Sequence, residues 1–445
     1  MHSLAPSPRF RSPLAPFLRA GAMLVACLAS LATGQSADSP PKPTPAQLAW
    51  HRLEVGMFIH LAPQTWQGRE TDDGSTPLAA MNPDKLDTDQ WVAVAESMGA
   101  KYIVFVAKHE GGFCWWQTTT TDWSVGHMPW RAGKADVLRD LAESCRRRDM
   151  KLGVYISPQD RRHGAGVGGR TKDPAKQADY EKLFRTQLTE VLANYGDMME
   201  VWFDGSLVFD VGDIVAKHAP SAVVFQGPQA SIRWVGNEIG VAPYPAWNAV
   251  RHGVRPWGEY TAADGDPDGD RWLPNECDAR IRDTWFWNPR NEASLKSVKD
   301  LVRMHDQSVG RGAVLLLNLS PDTTGAIPQA DATRAADFGK ALEADWGMPV
   351  SETQGEGVEF VIQPSAPLPI DRVIIQERIE EGERVRGYVV EALVDGEWRS
   401  VATGSAMGHK RIERFMPVQA ASMRVRITDS RGTPLISRFA IFRAR

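Results

Sequence analysis

From Val55 onward, short apolar runs alternate with longer stretches in which apolar residues recur every three or four positions. Val55–His60 (VGMFIH), Lys101–Ala107, Leu152–Ser157, Met199–Phe203, Ala222–Gln226 and Ala313–Asn318 have the length and the β-branched and aromatic content of strands. Asp87–Met98, Ala135–Arg148, Ala178–Asn194, Val211–His218 and Glu292–Val309 read as helices. In the first of these Trp91, Val94, Ala95 and Met98 share one face. Strand–helix alternation sustained over roughly 250–300 residues predicts an α/β fold, a (β/α)8-like TIM barrel. A doubly wound open sheet competes with it, but no Gly-x-Gly-x-x-Gly follows the first strand. Gly164–Gly169 (GAGVGG) stands at no such strand–helix junction and reads as a flexible loop.

After Trp346 the period changes from helical to alternating. Val358–Gln363, Arg372–Glu377, Tyr388–Val394, Trp398–Ala402, Met423–Thr428 and Ser437–Arg443 are short, separated by turns, and have no helix between them. They predict a C-terminal all-β sandwich. The expected domains are 38–346 and 347–445, with Pro349–Gln354 as the hinge. The sandwich resembles carbohydrate-binding modules in "DGEWRSVATGS" and "KRIERF", with Trp398 as its single tryptophan.

Ahead of the barrel, Arg9, Arg11 and Arg19 precede the apolar run Ala20–Ala32, and small residues follow. This is the pattern of an export signal over residues 1–37, which implies a periplasmic or secreted protein. The apolar run is too short to span a bilayer comfortably, so no membrane span is expected. Leu24-Val25-Ala26-Cys27 also resembles a lipoprotein box, which would lipidate Cys27. The remaining cysteines, Cys114, Cys145 and Cys277, are too few and too widely spaced for a disulfide framework or a zinc site, and read as buried free thiols. A net charge of −4 argues against nucleic-acid partners bound through a broad basic surface.

In a parallel barrel, residues just past the strand carboxyl ends converge on one mouth. Here those residues are His60, Lys108-His109-Glu110, Ser157 to Asp160, Asp204, Gln226 and Asn318. Any one could be a turn or cap residue, but polar and ionisable groups at so many strand ends indicate a site. His60, His109 and Asp204 could also serve as metal ligands if the barrel closed them up. Asp264–Asp270 begins like a calcium loop, yet its twelfth position is Asn275 instead of a bidentate Glu, so it reads as a solvated turn.

Tryptophan adds a second clue. Fourteen of the 16 lie between Trp50 and Trp287. Trp66, Trp115, Trp116, Trp202, Trp234, Trp285 and Trp287 fall near strand ends or loops, where indole faces can pack on the apolar faces of sugar rings. Hydrolysis of a sugar linkage would further need two carboxyl groups, one ionised and one protonated.

"GMFIHLAP" (56–63), "GAKYIVFVAKHEGGFCWW" (99–116), "TTDWSV" (120–125), "EVWFDG" (200–205) and "IRWVGNEIG" (232–240) together resemble glycoside hydrolase family 29, the α-L-fucosidases. The resemblance implies a barrel followed by a β-sandwich, no cofactor, and a fucosylated oligosaccharide or glycoconjugate as substrate. It implies that Asp204, the Asp of WFDG, is the nucleophile. In the branch reading "RWxGNE" it implies that Glu238 is the acid/base, with Glu276 of "WLPNECDARIR" in reserve. Otherwise Glu276 would be a rim ion pair with Arg280. His60 and His109 match histidines that bind fucose hydroxyls. Trp116, Tyr155 and Trp202 match aromatic site residues, and Trp66 and Trp285 join them as candidate platforms. Two departures stand out: Glu110 replaces the second histidine of the family's "AKHHDGF", and the loop between Asp204 and Glu238 is short. The implied reaction is retaining hydrolysis, with the Asp204 pKa depressed and that of Glu238 raised, on α-1,3/1,4-linked fucose. A non-hydrolytic fucose-binding protein and a metal-dependent barrel enzyme are the other readings of the same residues.

Overall fold

The computed structural model describes residues 39–255 and 258–445. The expected leader, residues 1–37 with Cys27, lies outside them. Helix α1 (Pro45–His51) opens on a capping box between Thr44 and Gln47. It sets Trp50 against the start of the barrel, where its indole N–H donates to Glu200 Oε2 at 2.9 Å.

Strand β1 (Val55–Ile59) is followed by α2 (Pro63–Gln67) and α3 (Thr88–Ser97), β2 (Tyr102–Lys108) by α4 (Val137–Arg147), and β3 (Lys151–Ile156) by α5 (Gln177–Asn194). Then come β4 (Glu200–Trp202), α6 (Gly212–His218), β5 (Val223–Phe225) and β6 (Arg233–Trp234). A small antiparallel ribbon of β7 (Ala249–Val250) and β8 (Arg271–Trp272) precedes β9 (Asn275–Arg280), α7 (Val298–Ser308), β10 (Val314–Asn318) and α8 (Gln329–Trp346). The parallel strands run in the order β5-β4-β3-β2-β1-β10-β9-β6, and a parallel bridge between Phe225 and Ile232 nearly closes the ring. This is the expected barrel.

Side-chain parity assigns the two faces. On β4, Val201 faces the helices while Glu200 and Trp202 face the interior. The interior is packed with Phe58, Tyr102, Val104, Val106, Tyr155 and Leu316. On β9 the same alternation turns Cys277 and Ala279 outward to the helix layer. Glu276 and Asp278, of the opposite parity, point inward, and this explains why NECDAR does not look like a strand in sequence: its interior positions are acids.

The expected helix Glu292–Val309 begins later than its periodicity suggests. Glu292–Ser294 is a single 3-10 turn, and α7 starts at Val298 because the Ser297 side chain accepts from Asp300 N at 3.1 Å. The Gly164–Gly169 segment is a hydrogen-bonded turn, with Gly166 N donating to Arg170 O and Gly168 O accepting from Val208 N. Cys114, Cys145 and Cys277 are free and buried.

The C-terminal strands are β11 (Ser351–Glu356), β12 (Glu359–Ile362), β13 (Leu368–Glu377), β14 (Val385–Val394), β15 (Glu397–Gly404), β16 (Arg411–Ala420), β17 (Ser422–Ser430) and β18 (Leu435–Arg443). They form two antiparallel sheets, β11-β18-β13-β16 and β12-β17-β14-β15, around Val373, Ile375, Val390, Val425, Phe439 and Ile441. The segment expected as a hinge largely belongs to β11, where Ser351 pairs with Ile441. Sandwich and barrel are joined by polar contacts. Glu54 holds Lys410 at 2.5 Å and His409 at 3.2 Å, and Glu383 accepts from Asn248 Nδ2 at 2.6 Å.

Gly56 leaves no room for a side chain inside the barrel. A Cβ there would lie 2.3 Å from Cε1 of the buried Tyr102 ring. Gly56→Ala is therefore expected to destabilise the protein by about 1–3 kcal/mol through overpacking, read as a lower midpoint of urea unfolding.

Candidate active site

A cavity of about 260 Å³ opens at the carboxyl ends of the barrel strands. It is at the small end for a ligand pocket and suits one sugar ring. Its floor follows from register. Tyr155 on β3 pairs with Trp202 on β4, and Trp202 with Phe225 on β5, so three rings stand side by side inside the barrel. Tyr155 and Trp202 stack with centroids 5.3 Å apart, and Trp202 and Phe225 at 3.8 Å.

Asp204 shares the parity of Glu200 and Trp202, which brings it to the cavity as β4 ends. The chain turns sharply there. Gly205 and Ser206 both have positive φ, 70° and 69°, and Ser206 N donates to Gln226 Oε1 at 3.1 Å. A Cβ on Gly205 would lie 2.7 Å from Cγ1 of the exposed Val167 side chain, which can move away, so it is the positive φ that favours glycine here. The Tyr155 hydroxyl donates to Asp204 Oδ2 at 3.0 Å. Asp204 is exposed at the cavity, with protein crowded behind it. Its pKa is raised, chiefly by desolvation, with the nearby Glu238 carboxyl group adding to the rise and the Tyr155 hydrogen bond opposing it. The depressed value expected from its donors is not found, because burial outweighs one hydroxyl and a backbone N–H.

Glu238 follows β6 and reaches the cavity from the other side of the near-closure. Its Oε2 accepts from Trp285 Nε1 at 3.2 Å and lies 3.3 Å from Arg280 Nη2. Arg280 also sits over the Trp285 ring at 5.3 Å. Arg280 is thus the partner of Glu238 and not of Glu276. Behind Trp285, Glu70 accepts from the Trp285 backbone N–H at 3.0 Å, and burial raises its pKa.

His60 and His109 face each other across the cavity edge, ring centroids 5.9 Å apart. His60 Nδ1 is 2.8 Å from Asn318 Oδ1, and His109 Nδ1 is 2.9 Å from Gln64 Nε2. Burial lowers the pKa of both, that of His109 to about 3, so both rings are neutral at physiological pH.

The structure thus brings Asp204, Glu238, His60, His109, Tyr155, Trp202 and Trp285 together around one cavity. Trp66 and Trp116 are placed elsewhere. Trp66 packs on Trp115 at 6.4 Å. Trp116 is fully buried and donates to Glu190 Oε2 at 2.9 Å on α5. Their bulk is needed between barrel and helices, a demand that a sequence motif does not separate from sugar binding.

Glu276 is neither at the rim nor in the cavity lining. It lies fully buried beneath Trp202, whose Nε1 donates to its Oε1 at 2.7 Å. It is also paired with Glu200. Burial raises both acids, Glu200 to about 7, and the proximity of Glu200 pushes Glu276 further up. Asp278, which the sequence analysis passed over, does line the cavity and accepts from Trp234 Nε1 at 2.7 Å. Burial and then Glu276 raise its pKa well above the carboxylate range. The sequence signal for it was alternation: Glu276 and Asp278 are two apart on a strand aimed at the mouth. Among the described residues, no three His, Cys, Asp or Glu side chains are gathered as a metal-binding group.

The arrangement is that of a small polar-rimmed pit with three carboxyl groups, Asp204, Glu238 and Asp278, and an aromatic floor. A family model described as alpha-L-fucosidase matches residues 75–345. The chain belongs to the α-L-fucosidase family, and its members are glycoside hydrolases. Alpha-L-fucosidase 1 of Arabidopsis thaliana is 29% identical over 90% of this chain and 87% of the plant protein. The crystal structure of a glycoside hydrolase 29 family member from an unknown rumen bacterium superposes with a TM-score of 0.84 at 30% identity. That match covers 92% of this chain and 78% of the bacterial one. His60, Gln64 and Glu70 precede the segment that the fucosidase model matches; of these, only His60 was legible in the sequence.

In the C-terminal sandwich Trp398 lies under the Arg424 guanidinium at 4.1 Å. Among the described residues no helix is long and apolar enough to cross a membrane.

The Glu200–Glu276 pair generates a pH test. Acids whose folded pKa is raised stabilise the fold below their unfolded values, near 4.3, and lose that contribution as pH rises through the folded ones. Glu276→Gln keeps an acceptor for Trp202 and removes one such acid. Unfolding free energy, measured by urea titration from pH 5 to pH 8, is expected to fall less steeply in Glu276→Gln than in the wild type. The difference should not exceed about 4 kcal/mol, the limit for one proton over three pH units; equal slopes would show that the pair is not protonated.

Proposed function

We propose that this protein is a retaining α-L-fucosidase in which Asp204 is the nucleophile and Glu238 the acid/base. The observation that carries the reading is the convergence of these two carboxyl groups, from the ends of β4 and β6, on one sugar-sized cavity in a chain of this family. Asp204 offers one oxygen to the anomeric carbon while Tyr155 holds the other. Arg280 and Trp285 hold Glu238 Oε2, leaving Oε1 to carry the proton.

In the first step an Asp204 oxygen bonds to the anomeric carbon, the bond to the leaving oxygen breaks, and Glu238 gives its proton to that oxygen. In the second, Glu238 takes a proton from water, the water oxygen attacks the anomeric carbon, and the ester to Asp204 breaks. Two inversions restore the α configuration. The Tyr155–Trp202–Phe225 floor and the two neutral histidines would orient the ring, and Trp285 would stand beside the leaving group.

The substrate we favour is α-1,3/1,4-linked fucose on branched glycans, because Glu238 stands in the sequence RWVGNE. Export by the leader is part of the same reading; mass spectrometry of the mature chain should place its N-terminus near residue 38, and an intact leader would overturn it.

The mechanism is tested by incubating the wild type and Asp204→Asn with a Lewis-type trisaccharide and with an aryl fucoside. We expect fucose release by the wild type to fall by at least about 10³-fold in the variant, with preference for the trisaccharide. Proton NMR should show α-L-fucose as the first product; β-L-fucose first would refute the double displacement. Because Asp204 must be ionised and burial raises its pKa, kcat/KM should fall on acidification with a midpoint above the ordinary aspartate value of about 3.9.

A further inference from the structure

Glu110, the residue that departs from the family's second histidine, lies behind the cavity wall and does not line it. Its Oε1 accepts from Asp72 N at 2.8 Å and from Gln64 Nε2 at 3.3 Å. The same Gln64 nitrogen is 2.9 Å from His109 Nδ1. An amide nitrogen has two hydrogens and no acceptor lone pair, and here two acceptors face it. Reversing the amide would set its oxygen against a carboxylate oxygen. Gln64 Oε1 is in fact buried without a partner, an orientation tolerated because both amide hydrogens are used. His109 Nδ1 must therefore be bare, and its proton resides on Nε2.

His60 is fixed the opposite way. Asn318 Nδ2 donates to Trp285 O at 2.8 Å, which turns its Oδ1 to His60 Nδ1 at 2.8 Å. That nitrogen must carry the proton, leaving Nε2 bare. Both rings line the cavity, and neither Nε2 has a hydrogen-bond partner among the described residues.

We propose that Glu110 is a positioning residue which, through Gln64, locks His109 as a hydrogen-bond donor to the sugar, opposite His60 locked as an acceptor. The two imidazoles then discriminate between hydroxyls by polarity: one hydroxyl must donate, the other must accept. The lock extends to the nucleophile, since His109 stacks on Tyr155 with centroids 5.6 Å apart and planes at 9°, and Tyr155 donates to Asp204. This assignment of roles toward the sugar rests on the fucosidase reading, but the tautomers do not.

The test is two-bond 1H–15N NMR of the full chain labelled with 15N-histidine, with the His109 signals identified by their loss in His109→Asn. We expect protonated Nε2 and bare Nδ1 for His109, and the reverse for His60. Glu110→Leu should move His109 toward the other tautomer and leave His60 unchanged, while Glu110→Gln, which keeps the accepting oxygen, should preserve the wild-type pattern. Protonated Nδ1 on wild-type His109, or no change in a folded Glu110→Leu, would overturn the proposal; the wild-type spectrum alone suffices if that variant does not fold. Calorimetry with L-fucose and its monofluorinated analogues reads the consequence, because organic fluorine accepts weakly and cannot donate. One fluorinated position should be tolerated and another should lose about tenfold or more in affinity. The loss of both alike would overturn the polarity assignment, whereas no binding of fucose itself, with the tautomers as expected, would reject the fucosidase reading alone.

Discussion

The site is organised around the Asp204 carboxyl group, which is exposed at the cavity while aromatic rings crowd its other side. Removing a carboxylate from water is costly, and the rings of Tyr155, Trp202 and Phe225 supply no charge to offset it. The Tyr155 hydroxyl is the compensating contact, one donor at 3.0 Å, helped by a backbone N–H in the sharp turn after β4. The balance is left incomplete, and the pKa of Asp204 stays raised.

The barrel meets a related constraint around its tryptophans. A buried indole needs an acceptor, and here carboxyl groups serve. Trp50 donates to Glu200, Trp202 to Glu276, Trp234 to Asp278 and Trp116 to Glu190. Acids so placed cannot all be charged in a dry interior, and Glu200, Glu276 and Asp278 are accordingly raised. These carboxyl groups fix the indoles in place, and their raised pKa values favour the uncharged form next to Asp204. The abundance of tryptophan therefore serves the scaffold as well as the site: Trp202, Trp234 and Trp285 line the cavity, while Trp50, Trp91, Trp115 and Trp116 are fully buried.

The chain's own pattern was enough for the barrel, for the sandwich after it, and for Asp204 as a strand-end carboxylate, because period and parity are local properties of a sequence. The same local rules missed β9, whose inward positions are Glu276 and Asp278, since acids at interior positions break the apolar pattern that marks a strand. Tertiary structure alone decided which of several plausible acids lie together. It buried Glu276 under Trp202, moved Arg280 to Glu238, and withdrew Trp66 and Trp116 into packing. It also decided charge and proton position: whether Asp204 is raised or lowered depends on how much protein surrounds it, and whether His109 donates or accepts depends on Gln64 and Glu110, one from another loop. Desolvation and hydrogen-bond partnership are sums over neighbours distant in sequence, so no reading of one strand at a time could have supplied them.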